Sequence, residues 1–102
     1  MGTLFYDGEG FELDDRTLFH IQMAVSTKLR RGENFFLSWQ LPVERGSGRH
    51  TVWVDNGVPF RIYYSGSRPI TLNRDWVEAL LETAARGSGM FVIPEQEILP
   101  KR

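Results

Sequence analysis

The sequence predicts an α+β domain: an antiparallel sheet, in the order ββαβββαβ, with two helices packed on one face. Two stretches repeat apolar residues at helical spacing behind capping side chains. Three others alternate apolar and polar residues at the period of a strand, and Gly, Pro, Asn and Asp fall at the joins.

Thr3–Tyr6 is a short β-prone run, Asp7-Gly8 with Gly10 marks a turn, and Phe11–Leu13 continues as the second arm of a hairpin. Asp14 and Asp15 are helix-start residues, because a carboxylate accepts from free N–H groups and suits the positive end of the helix dipole. Leu18, Ile21, Val25 and Leu29 then share one face. Lys28, Arg30 and Arg31 occupy the last turn, and Gly32 stops it.

Asn34–Leu41 sets Phe35, Leu37, Trp39 and Leu41 against Phe36, Ser38 and Gln40. After a polar loop at 44–48, Arg49–Asp55 sets His50, Val52 and Val54 against Arg49, Thr51 and Trp53. Asn56-Gly57 reads as a hairpin turn. Phe60–Ser65 returns with Arg61 and Tyr63 on one side, which predicts a three-strand antiparallel meander. Gly66-Ser67-Arg68-Pro69 breaks the strand. Asn73 caps a second helix whose stripe is Trp76, Val77, Leu80, Leu81 and Ala84. Gly87-Ser88-Gly89 ends it, and Met90–Ile93 forms a last short strand before Pro94. Residues 1–94 are expected as one domain, with 95–102 as a C-terminal tail.

Composition narrows the function classes. The chain has 102 residues, 41% hydrophobic and 13% aromatic, enough for one core, so most large side chains are needed for packing. With no cysteine, disulfides and thiolate metal sites are excluded. No secretory signal and no membrane-length apolar run is seen, so a cytoplasmic protein with no membrane partner is expected.

A net charge of −1 argues against a general coat for duplex DNA, but the charge is uneven. Residues 1–15 carry five acids and no base, residues 16–74 nine bases against three acids, and residues 75–102 three against five. Arginine outnumbers lysine ten to two, which fits either GC-rich coding or anion recognition by the guanidinium fork.

Enzyme motifs are missing: there is no phosphate loop, no G-x-S-x-G elbow and no H-E-x-x-H. His20 and His50 lie on different elements, so no cofactor and no metal is expected. Two clusters are candidate binding features. On the outer face of the meander, Trp53 and Tyr63 with Arg49 and Arg61 could stack a base and hold phosphate, or bury themselves in a homodimer. At the start of the second helix, Ser67, Arg68, Asn73 and Arg74 form a candidate phosphate site. Arg31 shares a stripe of the first helix with Arg16, His20 and Thr27.

The segments Asp14-Asp15-Arg16-Thr17-Leu18-x-His20, Lys28-Leu29-Arg30-Arg31-x-Glu33, Gly48-Arg49-x-Thr51-Val52-Trp53 and Gly66-Ser67-Arg68-x-x-x-Leu72-Asn73-Arg74-x-Trp76 resemble a family of actinobacterial proteins of this length and of unknown function. The resemblance extends to Pro94-Glu95. Members of that family are sometimes labelled ATP-dependent DNA ligase. Adenylation needs a lysine in a K-x-D-G setting, and Lys28 and Lys101 are not so placed, so the resemblance implies no ligase activity. The expectation is a non-catalytic domain that binds a nucleotide or nucleic acid through Arg31, Arg49, Trp53, Tyr63, Ser67, Arg68, Asn73 and Arg74. The alternative is an interaction module that homodimerises through the exposed sheet face.

Overall fold

A computed structural model describes residues 1–42 and 44–99, and the end of the expected tail, 100–102, lies outside them. The α+β class and the order ββαβββαβ are as predicted. The elements are β1 (Gly2–Tyr6), β2 (Glu9–Leu13), α1 (Asp15–Arg30), β3 (Phe35–Gln40), β4 (Arg49–Val54), β5 (Phe60–Tyr63), α2 (Arg74–Ala84) and β6 (Met90–Phe91). A single 3-10 turn, Glu95–Glu97, follows.

Local chemistry sets the ends of these elements. Asp7 and Gly8, at φ 51° and 83°, make the two-residue turn that joins β1 to β2 with Tyr6 opposite Glu9. The Asp14 carboxylate caps α1 by accepting from the Thr17 amide at 3.0 Å and its hydroxyl at 2.7 Å. At the other end the amides of Gly32 and Glu33 return to the carbonyls of Leu29 and Lys28, a Schellman closure. Asn73 caps α2 through the Trp76 amide.

The strands do not form one meander. They form two three-stranded sheets, β2-β1-β5 and β4-β3-β6, with β6 parallel to β3 and every other pair antiparallel. The reason lies between β4 and β5. Val58 donates its amide to the Asp55 carbonyl and Gly57 donates to the Asp55 side chain, but neither Asn56 nor Gly57 takes a positive φ. That turn lacks the twist that closes a two-residue hairpin. Pro59 then has no N–H to give a neighbouring strand. Its carbonyl accepts from the Asp7 amide, which steers β5 onto β1 with Phe60 opposite Tyr6.

Both helices lie on the inner side. α1 packs on β1 and on α2, and α2 packs on β3 and β6. Leu4, Leu18, Ile21, Leu37, Leu80 and Met90 are fully buried between the layers. Phe11 of β2 meets Trp39 of β3 edge-on at 5.1 Å, which joins the inner faces of the two sheets.

Gly89 admits β6 to its place beside β3. Its φ is 90°, and a Cβ there would lie 2.7 Å from the Phe36 carbonyl oxygen. Gly8 has a similar φ of 83° but open space around it. Gly89→Ala is therefore expected to destabilise the fold by about 2–3 kcal/mol and Gly8→Ala by about 1 kcal/mol. Urea denaturation of both variants checks the order, and equal midpoints would contradict the close approach.

Candidate functional site

The first turn of α1 is the most connected place in the molecule. Asp15 accepts from the amides of Ser65 and Gly66, at 3.2 and 2.8 Å. Arg16 makes a two-pronged pair with Glu95, Nε to Oε1 at 2.7 Å and Nη2 to Oε2 at 2.6 Å, and its Nη1 donates to the Thr71 carbonyl. The Asn73 side-chain amide donates to the same Glu95 carboxylate at 2.9 Å. The expected tail thus begins with a residue tied to both helix starts.

His20 sits beneath this network with no exposed surface. A carbonyl can only accept, so the 2.8 Å contact from Nδ1 to the Arg16 carbonyl places the proton on Nδ1. Nε2 then accepts from the Asn73 amide at 2.9 Å. The ring also stacks on Trp76 at 4.4 Å, and the Trp76 indole donates to the Ile93 carbonyl. Both nitrogens of His20 are engaged, which leaves neither for a substrate.

The eight residues singled out from the sequence fall in separate places. Ser67 and Arg68 lie exposed in the loop between β5 and α2, and Arg74 is exposed at the first position of α2. Asn73 is engaged on three sides, by Trp76, Glu95 and His20. Arg31 ends α1, and sixteen residues at 1.5 Å each put it roughly 24 Å from the turn that holds this loop. Trp53 is on β4 and Tyr63 on β5, so they belong to different sheets and do not share one face as the meander required.

The outer face of β4-β3-β6 carries the clearest exposed apolar feature. Phe36 and Trp53 are cross-strand partners with ring centroids 4.9 Å apart, and they are 44% and 47% exposed. Arg49 lies on the same face at the far end of β4, opposite Gln40. Between them the Ser38 and Thr51 hydroxyls bond at 2.9 Å. On the other sheet, Arg61 lies over the Phe5 ring at 4.0 Å, which accounts for its outward position without a ligand.

A cleft of about 710 Å³ opens where β2 and β3 end, α1 begins and the 91–97 segment passes. The sequence gave no sign of it, because its walls come from four separated stretches. Among the described residues, no three His, Cys, Asp or Glu side chains are grouped to hold a metal ion, and no helix is long and apolar enough to cross a membrane.

A family model described as Domain of unknown function (DUF7882) matches residues 1–95. The chain belongs to that family. Its matched region ends at Glu95, the residue that closes the network on Arg16 and Asn73. No curated protein and no solved structure matches the chain.

The network makes stability depend on pH with a definite sign. Burial pushes the His20 imidazole below its usual 6.5. Below that pH the unfolded chain takes up a proton that the folded one refuses, so this contribution is complete above pH 6.5 and declines as pH falls. The Arg16 and Asn73 hydrogen bonds hold the Glu95 carboxyl down at about 2 instead of 4.5, so a second loss is expected between those two values. His20→Phe keeps a ring on Trp76 but strands the Arg16 carbonyl and the Asn73 amide. It is expected to cost about 2–4 kcal/mol and to flatten the decline just below pH 6.5. Urea denaturation across pH tests this, and an unchanged slope in the variant would remove His20 as its source.

Proposed function

We propose that this protein is a non-catalytic interaction module that pairs with a second copy of itself through the outer face of the β4-β3-β6 sheet. The observation that carries this reading is the Phe36–Trp53 pair, two large rings nearly half exposed on a sheet face that neither helix covers. Aromatic residues left open in this way are typical anchors of protein interfaces.

The face is complementary to itself. Arg49 is its charged residue, and it lies four positions from Trp53, about 13 Å along the strand. Two copies stacked face to face about a twofold axis, with their β4 strands opposed, bring each Arg49 over the aromatic pair of the other. That arrangement exchanges two cation–π contacts and keeps the two arginines apart. Only uncharged Ser38, Gln40 and Thr51 lie between them, so no ion is stranded on closing. The face is only six residues long and three strands wide, which fits weak, concentration-dependent pairing.

Recognition of a phosphate-bearing nucleotide or nucleic acid is the second reading, favoured by Arg68 and Arg74, which are exposed on either side of the start of α2. Two features weigh against it. The Asn73 side chain already caps this helix, and Asp75 adds a negative charge to its first turn.

Light scattering across a concentration series separates the two readings. The expected result is a mass that rises towards the dimer, persists in high salt and stays monomeric in Trp53→Ser and Arg49→Glu, with the melting temperature of both variants near that of the parent. A monomer at millimolar concentration would overturn the pairing. A salt-sensitive stabilisation by ATP or pyrophosphate that is lost in Arg68→Ala/Arg74→Ala would move the function to those arginines.

A further inference from the structure

We propose that the cleft at the end of β3 is a docking site for a basic peptide segment. This does not rest on pairing through the sheet face, which involves Phe36 and Trp53 at the opposite end of β3 and β4.

The first argument is a missing partner. Trp39 lines the cleft and is only 2% exposed, and its indole N–H is the one buried side-chain polar atom among the described residues without a hydrogen bond. A buried donor left unpaired costs about 1–3 kcal/mol, which an acceptor brought by a ligand recovers. The donor calls for an oxygen, and a peptide carbonyl is the neutral group best suited to it. The apolar walls, including Leu13, Leu41, Trp76 and Val92, suit the stems of side chains. The volume of about 710 Å³ is that of a ligand site.

The second argument is charge. Glu12, Asp14, Glu95 and Glu97 line the cleft against Arg16 and Arg45. Both cations are committed: Arg16 gives its donors to Glu95 and the Thr71 carbonyl, and Arg45 lies 3.6 Å from Glu12. The amino group of Met1, also at the cleft, donates to the Ser65 hydroxyl. Asp14 is engaged as a helix cap, whereas Glu97 has no ion-pair partner among the described residues. An anion entering here finds no uncommitted cation, while a lysine or arginine finds Glu97. A ligand that offers both a carbonyl and a cation on an apolar stem is a basic peptide. A simple polyamine has the charge but no acceptor for Trp39.

The three indole N–H groups make the test direct, because each gives its own signal in a proton–nitrogen correlation spectrum. Trp76 is bonded to the Ile93 carbonyl, Trp53 is exposed, and Trp39 is unpaired. A capped tetrapeptide of alternating leucine and lysine is titrated into the full chain. The expected result is a saturable downfield shift of the Trp39 indole proton. The leucine–glutamate counterpart should bind at least tenfold more weakly. Glu97→Gln should weaken the lysine peptide severalfold while leaving the fold intact. Trp39→Phe should do the same, read from the peptide's own signals.

A Trp39 resonance that does not move, or equal binding of the glutamate peptide, would overturn the proposal. So would full affinity in Glu97→Gln. A shift confined to Trp53 would place the peptide on the sheet face instead.

Discussion

One turn of helix fastens three distant stretches of chain, and the rest of the molecule hangs from it. Asp15 holds the loop after β5, Arg16 holds Thr71 and Glu95, and His20 holds the amide that begins α2. Each bond spans more than fifty positions of sequence, so none can form before the layers have met. The geometry explains why neutral histidine is used at position 20. It must donate on one side and accept on the other within a site closed to water, and imidazole is a compact ring that does both. Protonation would abolish the acceptor and place an unpaired donor against the Asn73 N–H.

What could be read from the sequence is what local chemistry decides. The caps at Asp14 and Asn73 and the stop at Gly32 sit where their side chains and backbone freedom require. The inward and outward faces of each strand follow from period two, and Leu37, Trp39, Val52, Val54 and Ile62 all point inward as expected. Choice of strand partner is a different matter. Ile62 fits beside Val52 or beside Leu4 equally well by alternation, and only the φ angles at Asn56 and Gly57, with the missing donor of Pro59, select Leu4. The dipeptide Asn-Gly permits a hairpin turn without compelling it.

The site was less legible for the same reason. Outward position is a property of one strand, but a shared surface is a property of the sheet, so placing β5 on β1 separates Tyr63 from Trp53. Asn73 drew notice as a helix start open to an anion, yet a side chain with both donor and acceptor atoms can serve the fold twice, and here Glu95 occupies that position. Glu95 gave no signal because it lies past Pro94, where the apolar pattern has ended. Trp39 reads as core in any periodic analysis, and only the packed structure reveals that its N–H has no partner.

The division of labour among polar residues bears on what such a domain can do. Catalysis by acid and base needs a titratable group that is both perturbed and reachable. The perturbed groups here, His20 and Glu95, are held by structural bonds on the sides where a substrate would approach. The residues without such bonds are of another kind. Arg49, Arg68 and Arg74 are exposed and unpaired among the described residues, and Phe36 and Trp53 stand open beside each other. Guanidinium groups and aromatic rings recognise surfaces and transform nothing by themselves. A fold that fixes its titratable groups in place and leaves cations and rings outside favours association over turnover. The residues shared with the family support the same view, since Asp14, Asp15, Arg16, His20, Asn73 and Glu95 build the platform and the outer faces remain free to choose a partner.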